Sequence, residues 1–401
     1  MKFAIIKERK TPPDHRVVLS PNACKIINAN FPEAEIVVES SAIRVFSDDA
    51  YIKEGFSIVN NVTDAEVLIG VKEVPIEALI PNKKYFFFSH TIKKQPYNKK
   101  LLQAVLKKNI ELYDHEVITA ESGQRLVAFG RYAGIVGAYN GFRTFGLKYN
   151  LYNLPKAEEL PNQQALINAL KRIKNNLPPI KIVLTGKGRV GNGAKEMLDA
   201  MQLKEVNVTA YLQEHFNVPV YCQIDVLDYN KRKDCKELPA QDFYENPHKY
   251  ESDFMRFAKV TDFYIAGHFY GDGAPYLFTR NDAKSKDFNI KVVADISCDI
   301  NGPVATTIRP STIANPIYGY DTVTETETDF KNENAIAVMA VDNLPCELPA
   351  DASEGFGESF INYVIPAFFN NDKDGVLERA RMTKNGKLTE RFKYLEDYVS
   401  K

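Results

Sequence analysis

Short apolar runs alternate with segments of helical periodicity along the first part of the chain. Runs such as FAII, EIVVES and YFFFSH have the length and the β-branched or aromatic content of buried strands. The segments SPNACKIINANF and SDDAYIKEGF repeat apolar residues at helical spacing, and Ser20 and Ser47 are favourable helix starts. Strands separated by helices of this length indicate βαβ units and a parallel sheet.

A second series of the same kind follows a change of composition. The glycine-rich segment GRYAGIVGAYNGFRTFGLKYN has helical spacing and predicts a closely packed connecting helix. A new alternation of strands and helices begins after PPIK, with the runs KIVLTG, PVYCQIDV, DFYIAGHF, IKVVADIS and AIAVMAVD. Near the C-terminus, SEGFGESFINYVIPAFF predicts an amphipathic helix that returns to the first domain.

These patterns predict an α/β protein with two domains, each built on a parallel sheet. A chain of 401 residues is too long for one hydrophobic core. We expect a discontinuous first domain formed by residues 1–135 and 344–401, and a second domain formed by residues 136–343.

A glycine motif follows the first strand of the second α/β series. In KIVLTGKGRVGNGAKEML, a strand is followed by Gly186-x-Gly188-x-x-Gly191 and by a helix expected from about Ala194. This order favours a dinucleotide, NAD or NADP, with the pyrophosphate at the helix N-terminus. The alternative is a strand–helix turn without a ligand. The two coenzymes are not separated, because no acidic residue clearly ends the next strand and Asp225 could belong to a later one.

Charged residues of the first domain fall where apolar segments end or turn. In an open parallel sheet, ligands bind beyond the carboxyl ends of the strands, so Lys72 and His90 could face one cleft. Taken singly, a lysine at a strand end is ordinarily a charged rim, and a histidine after aromatics is ordinarily a hydrogen-bonded edge residue. Their joint placement is what suggests a site. The residues concerned are Arg16, Lys72, Glu73, His90, Glu116 and Arg125.

Composition and charge argue against several classes of binding partner. The formal net charge of −1 gives no reason to expect nucleic acid or an anionic membrane as a partner. The five cysteines have no metal-ligand spacing, so no metal is expected. The start MKFAIIKERK is too short in apolar residues for a signal peptide, and no run approaches the ~20 apolar residues of a membrane span. A cytoplasmic protein is the expectation.

Several longer motifs resemble the lysine-forming saccharopine dehydrogenases and the lysine–ketoglutarate reductase half of the bifunctional lysine-degrading enzyme. Both belong to the alanine dehydrogenase and transhydrogenase superfamily. The resemblance covers almost the whole chain, and its motifs are KERKTPPDHRVVLSP, LIGVKEVP, FFFSHTIK, LYDHE, GQRLVAFGRYAGIVGA, VVADISCDINGP and VDNLPCELPADASEGFG. It implies two Rossmann-like domains with the active site in the cleft between them.

The resemblance also implies roles for individual residues. Lys72 and His90 fall on the family's acid/base pair, and Glu73 and Glu116 on the glutamates that tune the pKa values of that pair. The family's substrate-binding arginines correspond to Arg16 and Arg125, and Lys93 and Arg131 are further candidate substrate-binding cations of this sequence. The implied cofactor-binding residues are Gly186, Gly188, Arg189, Val190, Gly191, Asp295, Asp342 and Leu344.

The activity that the resemblance implies is the NAD(P)-dependent interconversion of saccharopine with L-lysine and 2-oxoglutarate. One alternative is a related amino-acid dehydrogenase acting on alanine and pyruvate, although the supply of cationic residues favours a larger substrate with three carboxylates. Another is a nucleotide-binding regulator without catalysis, against which the presence of both Lys72 and His90 argues. The sequence leaves the reaction direction and the oligomeric state open.

Overall fold

The computed structural model describes residues 1–400, and the chain divides into two compact units. The first unit comprises Met1–Phe129 and the segment from Pro349 onward, and the second is Gly130–Leu348. The first boundary predicted from sequence, between residues 135 and 136, would cut a helix that spans Gly130–Tyr149 and belongs to the second unit. The predicted boundary between residues 343 and 344 lies at the start of a 3₁₀ helix, Leu344–Glu347.

The first unit is built on a parallel sheet. Its strands are hydrogen-bonded in the order β3-β2-β1-β4-β5-β6, so their carboxyl ends meet at one edge. Ser20 and Ser47 cap the first two helices, as predicted, by accepting the N–H groups of Ala23 and Ala50. The elements are β1 (Lys2–Ile5), α1 (Pro21–Asn30), β2 (Glu35–Glu39), α2 (Asp48–Lys53), β3 (Ser57–Val59), β4 (Val67–Ile69), β5 (Lys84–Phe87), α3 (Lys99–Lys107) and β6 (Glu111–Asp114).

The second unit begins with a long helix and carries the second sheet. Its helices are α4 (Gly130–Tyr149), α5 (Gln163–Ile173), α6 (Arg189–Ala200), α7 (Val208–Gln213), α8 (Val226–Tyr229), α9 (Ala240–Glu245), α10 (Met255–Ala258) and α11 (Arg280–Ala283). Its strands are β7 (Lys181–Thr185), β8 (Lys204–Glu205), β9 (Val220–Ile224), β10 (Asn230–Arg232), β11 (Tyr250–Ser252), β12 (Phe263–Ala266), β13 (Val292–Asp295), β14 (Ile317–Asp321), β15 (Glu327–Thr328) and β16 (Ala335–Met339).

The sheet of the second unit has the order β15-β14-β16-β13-β12-β7-β9-β8. The strands from β16 to β8 pair in parallel, and β14 pairs antiparallel with both of its neighbours. Helix α4 packs against α6 at glycine contacts: a Cβ on Gly134 would lie 2.0 Å from the carbonyl oxygen of Val190, and one on Gly193 2.0 Å from that of Arg131. The predicted closely packed helix is therefore confirmed.

The C-terminal segment completes the core of the first unit. Phe356 and Phe360 of the first returning helix contact the strand-end aromatics Phe88 and Phe86, with ring centroids 6.1 and 5.6 Å apart. The returning elements are α12 (Pro349–Tyr363), α13 (Ile365–Phe369), α14 (Val376–Ala380), β17 (Thr383–Lys384), β18 (Lys387–Leu388) and α15 (Glu396–Ser400).

Short 3₁₀ helices occur in both units, at Ile76–Ala78, Pro96–Asn98, His115–Val117, Ala157–Glu159, Lys174–Asn176, Pro247–Lys249 and Glu390–Leu395. Within residues 1–400, every helix falls short of the length and apolar character needed to cross a bilayer.

Candidate active site and nucleotide loop

Lys72 lies just beyond the carboxyl end of β4. The chain leaves the strand at Gly70, and the carboxylate of Glu8 accepts the next two backbone N–H groups, from Val71 at 2.7 Å and from Lys72 at 2.9 Å. Lys72 is half-buried. Its main chain is therefore fixed by a side chain that follows β1, the neighbouring strand.

His90 lies beyond the end of β5 in a left-handed backbone conformation, with φ of 52°. Such a conformation is uncommon outside glycine and persists where the surroundings fix it. Ser89 and Thr91 on either side are fully buried, and their hydroxyl oxygens are 2.7 Å apart. Asn98 donates its side-chain amide to the Ser89 carbonyl at 2.7 Å. These contacts hold the turn while the half-buried imidazole of His90 stacks on Phe88.

Asp114, the last residue of β6, holds the turn that carries His90. Its carboxylate accepts the backbone N–H of Ser89 at 2.9 Å, the Ser89 hydroxyl, and the backbone N–H of Glu116 at 2.7 Å. Asp114 is fully buried. One buried carboxylate therefore ties together the segments of His90 and Glu116.

The neighbouring residue His115 ties β6 to the segment of Lys72. Its Nε2 lies 2.9 Å from the Gly70 carbonyl oxygen, so Nε2 carries the proton and donates it. Burial lowers the pKa of His115 to about 3, so the ring is neutral at physiological pH. Its ring packs against Phe88 and Phe356 at 5.0 and 5.1 Å. His115 is thus a structural histidine.

Opposed charges act on His90 and Glu73. Burial lowers the pKa of His90; Glu73 and Glu116 act to raise it, while Lys72 and Lys10 act to lower it. Burial acts to raise the pKa of Glu73, but a 2.5 Å hydrogen bond from Lys10 contributes to a net lowering. His90 is therefore neutral and able to accept a proton at pH 7, beside a carboxylate that stays ionised.

The two predicted arginines of the first unit rest on the same aromatic cluster. Arg16 is buried, lies 4.2 Å from the centre of the Phe129 ring, and donates from Nε and Nη2 to Asp14 at 3.0 and 2.7 Å. Arg125 is half-buried and lies 5.5 Å from the centre of the Phe88 ring, on which His90 also stacks. The structure thus brings Arg125 and His90 to one ring, and places Arg16 in a buried ion pair.

The other two predicted substrate-binding cations have different surroundings. Lys93 is exposed in the turn after His90. Arg131 lies in the first turn of α4, in the second unit, and forms a two-pronged ion pair with Glu196 in which both N···O distances are 2.7 Å. Because Nε and Nη2 of Arg131 both donate to the Glu196 carboxylate, this ion pair links helices α4 and α6.

The glycine motif adopts the geometry that a dinucleotide needs. Gly186 has φ of 92°, a left-handed conformation that favours glycine. Gly188 is the N-cap of α6, and a Cβ added to it would meet no protein atom within 4 Å. Helix α6 begins at Arg189, inside the motif, so the start predicted near Ala194 was wrong. Arg189 is exposed and Val190 half-buried, so the first turn of the helix is accessible.

The third glycine of the motif closes the loop against its own strand. A Cβ on Gly191 would lie 2.0 Å from the carbonyl oxygen of Gly186, so glycine is required here. The amide of Gln223 on β9 also donates to that carbonyl at 2.9 Å. The open space at Gly188 and the tight contact at Gly191 fit a bound pyrophosphate at the N-terminus of α6.

Sheet order resolves the search for an acidic residue near the motif. The strand that pairs directly with β7 is β9, although β8 precedes it in the chain and lies at the edge. Asp225 follows β9 immediately and is half-buried. Asp225 therefore lies directly after the strand that pairs with the strand of the glycine motif, where the sequence alone had not located an acidic residue.

The remaining predicted cofactor-binding residues differ in accessibility. Asp295 at the end of β13 is fully buried and accepts hydrogen bonds from the hydroxyls of Ser297 and Thr307, both at 2.6 Å. These hydrogen bonds hold the loop that follows β13, and the cofactor-binding role of Asp295 stays a prediction. Asp342 is exposed, whereas Leu344 is buried.

Sequence reasoning did not single out Glu8, Lys10, Asp114 or His115. Asp114 and His115 had a local signal, since they are polar residues that directly follow a buried run in LYDHE. Glu8 and Lys10 lie in a charged segment after β1 and had none, because their partners are more than sixty residues away in the chain.

Comparison with known families now places the chain. A family profile described as "Alanine dehydrogenase/PNT, C-terminal domain" matches residues 165–391, and the corresponding N-terminal profile matches residues 4–136. The chain belongs to the alanine dehydrogenase/PNT family.

Named relatives give finer similarities. The chain is 28% identical to the mitochondrial alpha-aminoadipic semialdehyde synthase of Mus musculus, over 90% of this chain and 44% of that protein. It is 25% identical to the NAD+-dependent, L-lysine-forming saccharopine dehydrogenase of Yarrowia lipolytica, over 89% of each chain. The Candida glabrata protein of that name is 27% identical, over 94% of this chain and 97% of that one. The chain thus spans less than half the length of the synthase.

Solved structures support the same fold. An L-alanine dehydrogenase superposes over 100% of both chains with a TM-score of 0.66 and 16% sequence identity. A transhydrogenase from Sinorhizobium meliloti covers 97% of this chain and 99% of its own, with a TM-score of 0.54 and 16% identity. At this identity the likeness concerns the α/β fold with parallel sheets, which confirms the predicted fold class.

Proposed function

We propose that this protein is an NAD(P)-dependent oxidoreductase that interconverts saccharopine with L-lysine and 2-oxoglutarate. The proposal is supported by similarity to proteins named for that reaction along most of this chain. The observation that carries it is the position of three residues at one edge of the sheet. Strands β4, β5 and β6 are adjacent and parallel, so their carboxyl ends lie side by side. They are followed by Lys72, His90 and Glu116, respectively. This arrangement provides two proton-transferring side chains with acidic neighbours at one edge of a sheet.

The proposed chemistry divides between the coenzyme and this chain. When bound, the nicotinamide supplies or accepts the hydride at the carbon of the C=N bond. Lys72 and His90 move the protons that leave and join the substrate nitrogen and oxygen. His90 suits this task because burial lowers its pKa, so it is neutral and ready to accept a proton.

Substrate charge would be met by the arginines of the first unit. Saccharopine carries three carboxylates, and arginine binds a carboxylate through a planar fork of N–H donors. Arg125 lies on the ring that also carries His90, so a carboxylate on Arg125 would lie near the reacting atoms. Arg16 would bind a carboxylate with a guanidinium that Asp14 already orients.

We further propose that NAD(H) is preferred to NADP(H). In nucleotide-binding α/β folds, an acidic residue after the strand beside the glycine loop hydrogen-bonds the ribose 2′-hydroxyl and disfavours a 2′-phosphate. Asp225 holds this position after β9.

A coenzyme absorbance assay tests both proposals. The purified protein is offered lysine with 2-oxoglutarate, saccharopine alone, and pyruvate with ammonia, each with both coenzymes. We expect turnover with the first two combinations and a higher kcat/KM with NAD(H). Turnover with pyruvate and ammonia alone would assign the protein to an alanine dehydrogenase activity. Coenzyme binding without turnover in any combination would favour a nucleotide-binding regulator.

A further inference from the structure

Two buried or half-buried carboxylates hold the strand ends that carry Lys72 and His90, and both do so through backbone N–H groups. Glu8 divides its two oxygens between Val71 and Lys72, at 2.7 and 2.9 Å. Asp114 divides its oxygens between Ser89, at 2.9 Å, and Glu116, at 2.7 Å. Each carboxylate follows or ends a strand next to the strand that it holds.

We propose that Glu8 and Asp114 are positioning residues, which as anions hold the backbone of Lys72 and of His90 in the geometry required for proton transfer. The catalytic part of this proposal rests on the proposed function. The structural part, that these two carboxylates fix the two backbone segments, does not.

The chemistry of the bonds requires a carboxylate at both positions. Every bond to backbone is donated by an N–H group, so the side chain must offer acceptors at both oxygens. An ionised carboxylate does so, and its bonds are stronger than those of a neutral acceptor. An amide of the same shape would turn an NH₂ group towards one of the two backbone donors. Glu8→Gln and Asp114→Asn therefore remove one acceptor each and keep the volume.

Burial and neighbouring charges change the pKa values of both Glu8 and Asp114. Burial raises the pKa of Glu8 to about 7; Asp14 also raises it, while the two backbone bonds and Arg16 lower it. Burial likewise raises the pKa of Asp114 to about 6, against the hydrogen bonds from Ser89 and Glu116, and the Glu116 charge adds to the increase. The phenol of Tyr394 also lies within reach of the Asp114 charge. Acidification through about pH 7 therefore removes an acceptor from Glu8, and acidification through about pH 6 removes one from Asp114.

The two consequences of this titration have opposite signs. Burial disfavours the charged form of Glu8, so the free energy of unfolding is higher when Glu8 is protonated. This contribution to stability is lost as pH rises through about 7. The hold on the Lys72 backbone, in contrast, is strongest when Glu8 is ionised, above that pH. Global stability and local order at Lys72 should therefore respond to pH in opposite directions.

Amide hydrogen exchange by NMR tests the structural part without substrate. In Glu8→Gln, we expect exchange at Val71 and Lys72 to accelerate roughly tenfold or more, since a bond to a charged acceptor is lost. Exchange at Ser89 and Glu116 should stay as in the wild type. Asp114→Asn should give the reverse pattern. Glu111→Gln is the matched control, because Glu111 lies on the same strand as Asp114 and accepts from the Tyr113 hydroxyl rather than from either strand end.

Turnover provides the second measurement. We expect kcat of both variants to fall by about tenfold or more, while the Kd for the coenzyme in calorimetry stays unchanged. Glu8→Asp, which keeps the charge on a shorter side chain, should recover part of the exchange protection and part of kcat. A loss that affects coenzyme Kd and kcat equally would indicate general unfolding and overturn the positioning role.

A pH series on the wild type keeps the proposal testable if a variant does not fold. Protection at Val71 and Lys72, corrected for intrinsic exchange, should fall as pH drops through about 7, and protection at Ser89 and Glu116 as it drops through about 6. Protection that is independent of pH, or equal in wild type and variants, would refute the positioning role. The predicted exchange pattern in a protein that fails to turn over saccharopine would refute the proposed function instead.

Discussion

The strand ends of the first unit and the glycine loop of the second are built by opposite means. The loop depends on glycines, which have no Cβ. A Cβ at Gly188 would project into open space, and one at Gly191 would clash with the Gly186 carbonyl oxygen. At the strand ends, the decisive atoms are buried polar side chains, such as Asp114 and His115, that hold backbone from neighbouring strands.

This difference determines how each region tolerates change. The loop depends on a few positions close together in sequence, so a single added side chain should remove its binding capacity. The strand ends depend on contacts between residues far apart in the chain, such as Glu8 with Lys72. Their function should decline in steps as individual contacts are removed.

Gly188→Val tests the loop directly and should have the largest effect on coenzyme affinity. Its branched side chain would fill the space that faces the N-terminus of α6, so we expect NAD(H) affinity to fall by about 100-fold or more. The fold should persist, because the space holds no protein atom within 4 Å. Calorimetry with both coenzymes and circular dichroism provide the two readings.

Gly191→Ala is the contrasting variant for that experiment. Its Cβ would lie 2.0 Å from the Gly186 carbonyl oxygen, so it should lower the melting temperature as well as coenzyme affinity. Unchanged coenzyme binding in Gly188→Val with normal circular dichroism would show that the loop does not bind the pyrophosphate.

The pair Lys72→Met and His90→Gln tests the strand ends. Each single variant should lower turnover by a factor of ~10²–10⁴, as is typical of positioned proton transfer. If the two residues serve one proton-transfer sequence, the double variant should lose less than the product of the single losses. Wild-type pH profiles should show ionisations that belong to the pair and that change in each single variant. A stable His90→Gln protein with full turnover would exclude His90 from the chemistry.

Arg16→Lys and Arg125→Lys should have intermediate effects that separate substrate from coenzyme. Lysine cannot reproduce the planar fork of arginine, so we expect KM for 2-oxoglutarate to rise more than KM for the coenzyme. Arg16→Lys should also lower the melting temperature, because it weakens a buried pair with Asp14. Arg125→Lys serves as the comparison, since Arg125 is half-buried. Equal changes in both KM values would indicate a packing role.

The smallest effect concerns Glu347, a buried carboxylate of the second unit. Burial raises its pKa from 4.5 to about 7, against a hydrogen bond from the Asn140 side chain. The stability that it contributes is present below pH 4.5 and is lost as pH rises through about 7. In chemical denaturation, Glu347→Gln should gain free energy of unfolding relative to wild type over that range, by on the order of 3 kcal/mol at most. A difference that does not vary with pH would contradict this assignment.

Much of the fold could be predicted from the hydrophobic pattern. The strands and helices of both sheets follow runs such as YFFFSH and KIVLTG, and the serine caps at Ser20 and Ser47 are local signals. The pairing of β9 with β7 could not be read, because β8 intervenes in the chain and sheet order depends on contacts between strands. The start of α6 was placed too late because its first turn consists largely of motif residues with low helix propensity.

The candidate site could be predicted in part. Lys72, His90 and Glu116 lie at strand ends that the pattern indicated, and their roles stay predictions until variants are measured. The hydrogen bonds that Glu8 and Asp114 accept left no residue pattern at the donor, because the donors are backbone N–H groups. Only Asp114 had a local signal, which is its position after a buried run. The hydrogen bonds of Asp295 to its own loop could not be predicted either, because a strand-end aspartate looks the same in sequence whether it faces a ligand or holds its own loop.

The interrupted path of the first unit has a consequence for its biosynthesis. The chain leaves that unit at Phe129 and re-enters it at Pro349. Phe88 and Phe129 therefore cannot pack against Phe356 until the ribosome has translated all of the contiguous second unit. The second unit can fold during that interval, as a continuous segment can. Nascent chains arrested after residue 348 should resist protease in the second unit and be cleaved within the first; the reverse pattern would contradict this order of assembly.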